Sequence, residues 1–493
     1  TKDNGFTSLV TMQSWMFITS FSKFRESLLT NYKIITLANL ENMVMDIAFG
    51  TSVFTLQKLP PEKSYGKYIR IKLSDLEKNK ELSGLNKLFI YTSAQNEFFK
   101  IPGAPVAYWI SNKIQEIFCK SIKLGEIANP RQGIATGDND KFLRHWFEVN
   151  FEKIGFNFKS ISEALNSPYK WFPYHKGGEY RRWYGNHTLV IPFDLENYQL
   201  LLNQGNHLPS KEYYFQTGIT WSDLTSGKFS ARLSEGGFIF DVKGSSAFPG
   251  NKYHLFIMAF LNSKICSYFL KILNPTVSFQ VGNLKTLPII IPNDNVLNEI
   301  NKLVNECIEI SKEDWDSREI SWNFQKHQLI NLIDSGLIKN ALISFNKYWQ
   351  QKFFILHKNE ERINDILIKL YGLEHEFSPE IEFGDISIQK EEIIVTENSK
   401  KNFITFKNKT IIKQFISYAI GCIFGRYKPN INNSYLSNDN IITLFPDKFQ
   451  NDIENLFLSF LASTFGENTL NKNILEIESI LESPMRIYFQ KEF

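Results

Sequence analysis

Residues 129–143, from Asn129 to Leu143, read NPRQGIATGDNDKFL. A Pro turn, two glycines and a TGDND cluster fall within this one stretch. Gly, Asp and Asn at that density set turns rather than a helix or a long strand. Arg131, Gln132, Thr136, Asn139 and Lys141 are thereby left on an exposed loop system, and they are the side-chain types that bond base edges and phosphates. An ordinary polar surface loop has the same composition, so the flanks carry the decision.

Downstream, KWFPYHKGGEYRRWY at Lys170 to Tyr184 interleaves Lys170, Lys176, Arg181 and Arg182 with Trp171, Tyr174, Tyr180, Trp183 and Tyr184. Cations for phosphates and rings for sugars and bases are what a nucleic-acid groove uses. A β-hairpin with one solvated and one packed face would use the same residues. Residues 215–250 then read as short strands separated by glycines, an irregular β-domain. HLFIMAFLNSKICSYFLKIL reads as one helix, ended by Asn274-Pro275. PTVSFQVGNLKTLPIIIP closes the β-region and adds Gln280 and Asn283 as polar candidates.

Upstream, GFTSLVT, KIITLANL and TSVFTLQK read as strands. SWMFITSFSKFRESLLTNY reads as an amphipathic helix with Phe21, Phe24, Leu28 and Leu29 on its apolar side. Strand, helix, strand with short connections implies an α/β sheet, of which only one edge is present. The charged run 62–87 reads as loop around a short strand, YIRIKLSDL. IPGAPVAYWISNKIQEIF then leads into a helix ending near Lys123, and FLRHWFEV reads as a strand leaving the Asn129–Leu143 loop. Beyond the β-region, Val296, Ile300, Leu303, Cys307 and Ile310 recur about every 3.5 residues, one seam of a helix that wants a partner. Further helices run to about Tyr371, where Gly372 ends them. Residues 377–406 are acidic and strand-prone, IIKQFISYAIGCIFGRY is a helix, and 445–493 supplies two more.

A chain of 493 residues, 43% hydrophobic, can bury several cores, and roughly two to four domains are expected. The net charge is only +3, so a polyanion must be held by a local basic patch rather than by the global field. Cys119, Cys266, Cys307 and Cys422 form no CxxC pair and no His/Cys ligand spacing. They read as buried thiols in a reducing compartment and argue against a structural metal. No apolar run approaches the ~20 residues that span a bilayer and there is no signal peptide, so a cytoplasmic protein without membrane contact is expected. Thr1, with no Met and a strand almost at once, reads as a piece of a longer polypeptide.

The phrases TMQSWMF, NPRQGIATGDND, FPYHKGGEYRRWYG, FLNSK…NPTVSFQVGNLKTLPI, ECIEISKEDWDS and FISYAIGCIFGRY, in that order, resemble the PglX family of adenine-specific DNA methyltransferases from BREX phage-defence systems. The resemblance runs from Gly5 to about Phe489. It implies a multidomain α/β plus α+β fold. Residues 1–126 would be the tail of a Rossmann-like AdoMet methyltransferase sheet, and 127–292 a target-recognition domain like that of type I specificity subunits. A helical spacer at 293–323 and a mainly helical domain at 324–493 would follow. The implied activity is site-specific methylation of adenine N6 in double-stranded DNA, with S-adenosyl-L-methionine as cofactor and the target base rotated out of the stack.

The family's FxGxG loop and NPPY tetrapeptide do not occur in these residues. Since the family places both before TMQSWMF, the chain is expected to begin just after NPPY, with catalytic and cofactor residues outside it. The resemblance puts the aromatic that stacks on the flipped base nearest Phe49, core packing being the alternative; Trp15 could line the same pocket. Sequence choice then falls to residues 127–292. Arg131 and Lys141 suit guanine O6/N7, Gln132, Asn139 and Gln280 suit adenine N6/N7, and Lys176, Arg181 and Arg182 would clamp the backbone. A stand-alone DNA specificity subunit working with a separate methylase chain is the alternative, and the strand-helix-strand at Gly5 to Lys58 speaks against it. The helical C-terminal region would suit docking of other BREX defence proteins. The join between GRYKPN and SNDNIITLF is shorter than the family's usual span.

Overall fold

The structure, a computed structural model, describes residues 2–61, 64–72, 90–225, 228–333, 335–397, 402–427 and 452–493. Most of the charged run after β4 and the join between GRYKPN and SNDNIITLF lie outside the described residues.

The N-terminal part is a five-stranded sheet. Its strands are β1 (Phe6–Met12), β2 (Lys33–Leu40), β3 (Thr51–Gln57), β4 (Tyr65–Ile71) and β5 (Ile90–Ala94), in the spatial order β1-β3-β2-β4-β5. β3 is antiparallel to both β1 and β2, so β1 and β2 run the same way with β3 inserted between them. β2 and β4 are parallel, and β5 closes the sheet antiparallel. The strand-helix-strand reading holds, with two differences. The helix α1 covers only Ser22–Asn31, preceded by short 3-10 turns at Gln13–Met16 and Thr19–Phe21. Phe21 and Phe24 stay exposed, and Arg25, Leu28 and Leu29 are the residues it buries.

Buried Arg25 is tolerated because its guanidinium donates to the carbonyls of Gly103, Trp15 and Ile18, so the charged group is hydrogen-bonded within the core. Burial pulls this group down to about 10. β1, expected to be a buried strand, instead leaves Phe6, Leu9, Val10 and Met12 exposed along the sheet's edge.

Residues 134–248 fold around a second core of Phe, Tyr, Ile and Leu side chains. One small sheet packs into it, and a second packs into the neighbouring, larger core. One orders Ile239–Phe240, Trp171–His175, Leu189–Pro192 and Arg144–His145; the other orders Ala231–Ser234, Gly218–Trp221 and Ser246–Ala247. FLRHWFEV is extended only at Arg144–His145 and then turns through Trp146–Glu148.

Beyond α2 (Asn112–Lys120), the expected single helix at 254–273 is two, α3 (His254–Leu261) and α4 (Lys264–Leu273), bent by 74°. Asn262 is the cause. Its side chain accepts from the Ala231 N–H and donates to the Ala231 carbonyl, completing the edge of a strand instead of continuing a helix. Ser263 then caps α4 through the Cys266 N–H. Among the described residues no single helix is long and apolar enough to cross a membrane.

The largest core runs from Ile101 to Phe489 and joins the second half of the β-region to the helices. The seam read at 296–310 lies on α5 (Asp294–Asp316), which packs against α3 and against the long α6 (Ile338–Tyr371). Ile300, Cys307 and Ile310 are buried there, and Leu297, Val304 and Ile308 widen the stripe because α5 is covered from two sides. Gly372, in the left-handed region at φ 65°, ends α6 as expected. Ile393–Thr396 and Phe403–Phe406 pair antiparallel, and α7 (Asn408–Ile423) follows with, among the described residues, three shorter helices, one more than expected. Cys266, Cys307 and Cys422 are buried thiols, whereas Cys119 is exposed.

Candidate nucleic-acid interface

The Asn129–Leu143 stretch is zipped to the β-region at its base. Arg131 exchanges backbone hydrogen bonds with Ser246, at 2.7 and 3.1 Å, and the Ile134 N–H donates to the Phe240 carbonyl at 2.8 Å. Gly133 is required here, since a Cβ at that position would fall 1.9 Å from the Phe240 carbonyl oxygen. Asn206 and Gln204 hold the loop from below, bonding the backbones of Gly133, Ala135 and Thr136. Asp138 caps the short turn that follows by accepting from the Lys141 N–H at 3.0 Å. The loop is therefore rigid, and Gln132, Asn139 and Lys141 project from it into solvent.

Its other candidates are placed differently. Thr136 is 2% exposed and donates to Asn139 Oδ1 at 2.9 Å, so it braces the loop and does not meet a base. Asn139 Oδ1 also accepts from Lys176 Nζ at 2.8 Å. Both lone pairs of that oxygen are committed, so Asn139 presents only its NH₂ donors outward and not the donor-acceptor pair that adenine N6/N7 requires. Arg131 is half-buried, with its guanidinium 4.9 Å from the Tyr213 ring and bonded to the Tyr213 hydroxyl.

Lys176 extends the network. Its ammonium reaches Asp241 Oδ2 at 3.1 Å, the oxygen that also accepts from the Tyr174 hydroxyl at 2.6 Å. Burial and the Asp241 charge push the Tyr174 phenol well above its ordinary range. The Lys243 N–H donates to Asp241 Oδ1 at 2.7 Å, and Lys243 Nζ pairs with Asp223 at 2.8 Å. Asp223 accepts from the Ser278 hydroxyl at 3.0 Å, two residues before the exposed Gln280. A continuous polar ridge thus joins Asn139, Lys176, Asp241, Lys243, Asp223 and Ser278, linking two stretches that the sequence presents far apart. Asn283 is buried in its wall and accepts from Asn274, so it is not a surface reader. Lys243 and the two aspartates were not legible as site residues, because a lone Asp or Lys in a Gly-rich strand region carries no spacing signal.

The clamp assigned to Arg181 and Arg182 is overturned. Arg181 is 9% and Arg182 5% exposed. Arg181 pairs with Asp314 of α5, and Arg182 pairs with Glu360 of α6, which also accepts from the Trp183 indole at 2.7 Å. Interleaved cations and rings fit a packed interdomain strut as well as they fit a groove, and here the carboxylates on two later helices decide. Lys176 alone of the three stays near the surface, and it is held in the ridge. At the sheet, Phe49 is 65% exposed, on the loop beyond the carboxyl end of β2, so it does not pack in a core. Trp15 does: it is buried, and its indole donates to the Ser52 hydroxyl at 2.9 Å.

No family model matches the chain. Two curated relatives that match along nearly the whole chain are adenine-specific methyltransferases. One is PglX of Lacticaseibacillus casei (strain Zhang), 34% identical over 541 residues, a match covering 100% of this chain and 43% of the relative. Another is BrxX of Escherichia coli O9:H4 (strain HS), 32% identical over 513 residues, covering 98% of this chain and 41% of the relative. The resemblance read from six ordered phrases therefore holds along the whole chain, which spans less than half the length of these relatives and corresponds to their C-terminal part.

Solved structures similar to the chain are restriction-modification enzymes. The type IIL enzyme MmeI in complex with DNA is 10% identical, with a TM-score of 0.44, covering 77% of this chain and 48% of that one. The type ISP enzyme LlaBIII bound to DNA is 13% identical, with a TM-score of 0.36, covering 63% and 25%.

Proposed function

We propose that this chain is the DNA-reading part of a site-specific adenine-N6 DNA methyltransferase of a BREX-type phage-defence system, together with the closing strands of its catalytic sheet. The observation that carries the reading is the braced polar ridge. Gln132, Asn139 and Lys141 stand at one end and Gln280 at the other, all exposed, on a framework tied by charge-assisted hydrogen bonds. A backbone framework held that firmly fixes where these side chains emerge, and each good base contact is worth about 1–3 kcal/mol of discrimination.

The sheet suits the end of a Rossmann-like methyltransferase domain. β3 lies antiparallel between parallel β1 and β2, and the exposed apolar side chains of β1, the outermost strand among the described residues, suit continuation by further strands. The exposure of Phe49 beyond the carboxyl end of β2 supports reading it as the ring that stacks on an extruded adenine. The residues present do not fit S-adenosyl-L-methionine. The turn from β1 to α1 has no glycine and buries Trp15, Met16 and Phe17, leaving no backbone cradle. The cofactor, which supplies the methyl group, belongs on this reading to the length that the relatives have beyond the match.

The test is methylome sequencing of cells carrying the full-length protein, wild type or Gln132→Ala or Gln280→Ala. N6-methyladenine at one defined sequence, relaxed at a single base pair by either variant, is expected. A methylated sequence unchanged by both would overturn the reading.

A further inference from the structure

A second site lies where the sheet meets α4. Arg70, near the end of β4, stands beside Asn39 of β2 in the parallel ladder. Its guanidinium lies 5.0 Å from the centre of the Trp109 ring, and its Nε donates to Glu41. The two terminal nitrogens have no hydrogen-bond partner among the described residues. Packing and the carboxylate thus fix the plane of the group and leave its fork open. Asn39 is itself buried, and its Oδ1 has no partner among the described residues.

These side chains line a cavity of about 510 Å³ with Gln13, Lys72 and Lys271. Two cations, Arg70 and Lys271, face one carboxylate, Glu41, so the lining favours an anion. The Gln13 N–H donates to the Gly50 carbonyl at 3.0 Å, which sets the cavity at the root of the loop that carries Phe49. Its position, outside the carboxyl ends of parallel strands, is where α/β sheets bind ligands.

We infer that this cavity seats one nucleotide of the DNA strand, its phosphate on Arg70 and Lys271 and its polar edge toward Gln13 and Asn39. The inference rests on the DNA-reading proposal. An oriented guanidinium with both terminal nitrogens open matches a phosphate bidentately, and the volume is that of an ordinary small-ligand pocket. The seat would grip the strand beside Phe49, while the ridge reads the duplex elsewhere.

The experiment measures DNA binding by the full-length protein over a range of salt, using wild type, Lys271→Ala, Arg70→Gln and, as a control on α5, Lys302→Ala. Lys271→Ala is expected to weaken binding several-fold and to reduce the slope of log K against log salt by about 0.9, the share of one duplex phosphate contact. Arg70→Gln should act the same way, and Lys302→Ala should change neither quantity. If Gln132→Ala relaxes specificity while Lys271→Ala and Arg70→Gln bind like wild type, this inference fails and the DNA-reading proposal stands. If the wild type does not bind DNA, the underlying proposal fails. Thermal stabilisation by AMP or inorganic phosphate that Arg70→Gln abolishes, with DNA binding unaltered, would assign the seat to a free phosphate ligand and overturn the strand assignment.

Discussion

Arg182 and Glu360, 178 positions apart in sequence, form an ion pair closed off from solvent where the β-region meets α6. Beside it, Arg181 and Arg318 converge on Asp314. Burial alone would raise the Asp314 carboxyl, but the two guanidiniums outweigh it and hold the group below its ordinary value. These pairs couple the reading part to the helices electrostatically as well as by packing.

Arg182→Ala would leave the Glu360 carboxylate buried without its counter-charge. Loss of one partner of a buried pair costs about 3–5 kcal/mol, so urea or thermal unfolding should show a destabilisation of that order. At a temperature where the variant is folded, its DNA affinity and salt dependence should match the wild type. A variant of normal stability with a shallower salt slope would return Arg182 to the role of a phosphate contact.

Stability should fall on mild acidification. Burial, with Arg232 nearby, lowers His187 to about 3, and burial lowers His327 to about 3. The unfolded chain protonates these rings near pH 6.5 and the folded protein does not. Each contribution is therefore complete above about pH 6.5 and is lost toward pH 3, at about 1.4 kcal/mol per pH unit. Replacing His327 with Gln should flatten that dependence by one such share in denaturant titrations from pH 7 to pH 5. An unchanged slope would mean that His327 titrates alike in both states.

Asn139→Asp keeps the oxygen that serves Thr136 and Lys176 and removes the outward NH₂. The loop should hold its shape, with an unchanged melting temperature, while the methylated sequence relaxes at one base pair in single-molecule sequencing. If specificity survives, the side chain is a brace only.

Asn262→Leu should act on folding alone. It strips the Ala231 N–H of its partner, at about 1–3 kcal/mol for a buried group left unpaired, while the Ala231 carbonyl keeps the Trp183 N–H, and the melting temperature should drop accordingly. Wild-type stability would show that α3 and α4 can merge into one helix without cost.

The order of elements was legible wherever the hydrophobic period was clean: β2, β3, the α5 seam and the Gly372 stop all fall where the residues place them. What failed shares one physical cause. The run at 254–273 has a helical pattern throughout, and only a long-range bond from Asn262 to a strand edge breaks it. Arg181 and Arg182 look solvated until Asp314 and Glu360 arrive from more than a hundred residues away. Thr136 and Asn283 are polar, yet the fold uses them as internal struts. In each case a local pattern was overruled by a partner that local sequence does not contain. Gln132, Lys141 and Gln280, whose side chains make no such commitment, remain exposed.

The pairing of Arg181 and Arg182 with carboxylates on α5 and α6 also limits how such proteins can be re-engineered or can diverge. A reading module taken from this chain brings two guanidiniums with it, and the recipient must offer acids where Asp314 and Glu360 stand here. Chimaeras cut inside the β-region, leaving 180–184 and both helices from one parent, would retain the match, whereas exchanging the whole of 127–292 would strand charges at the seam.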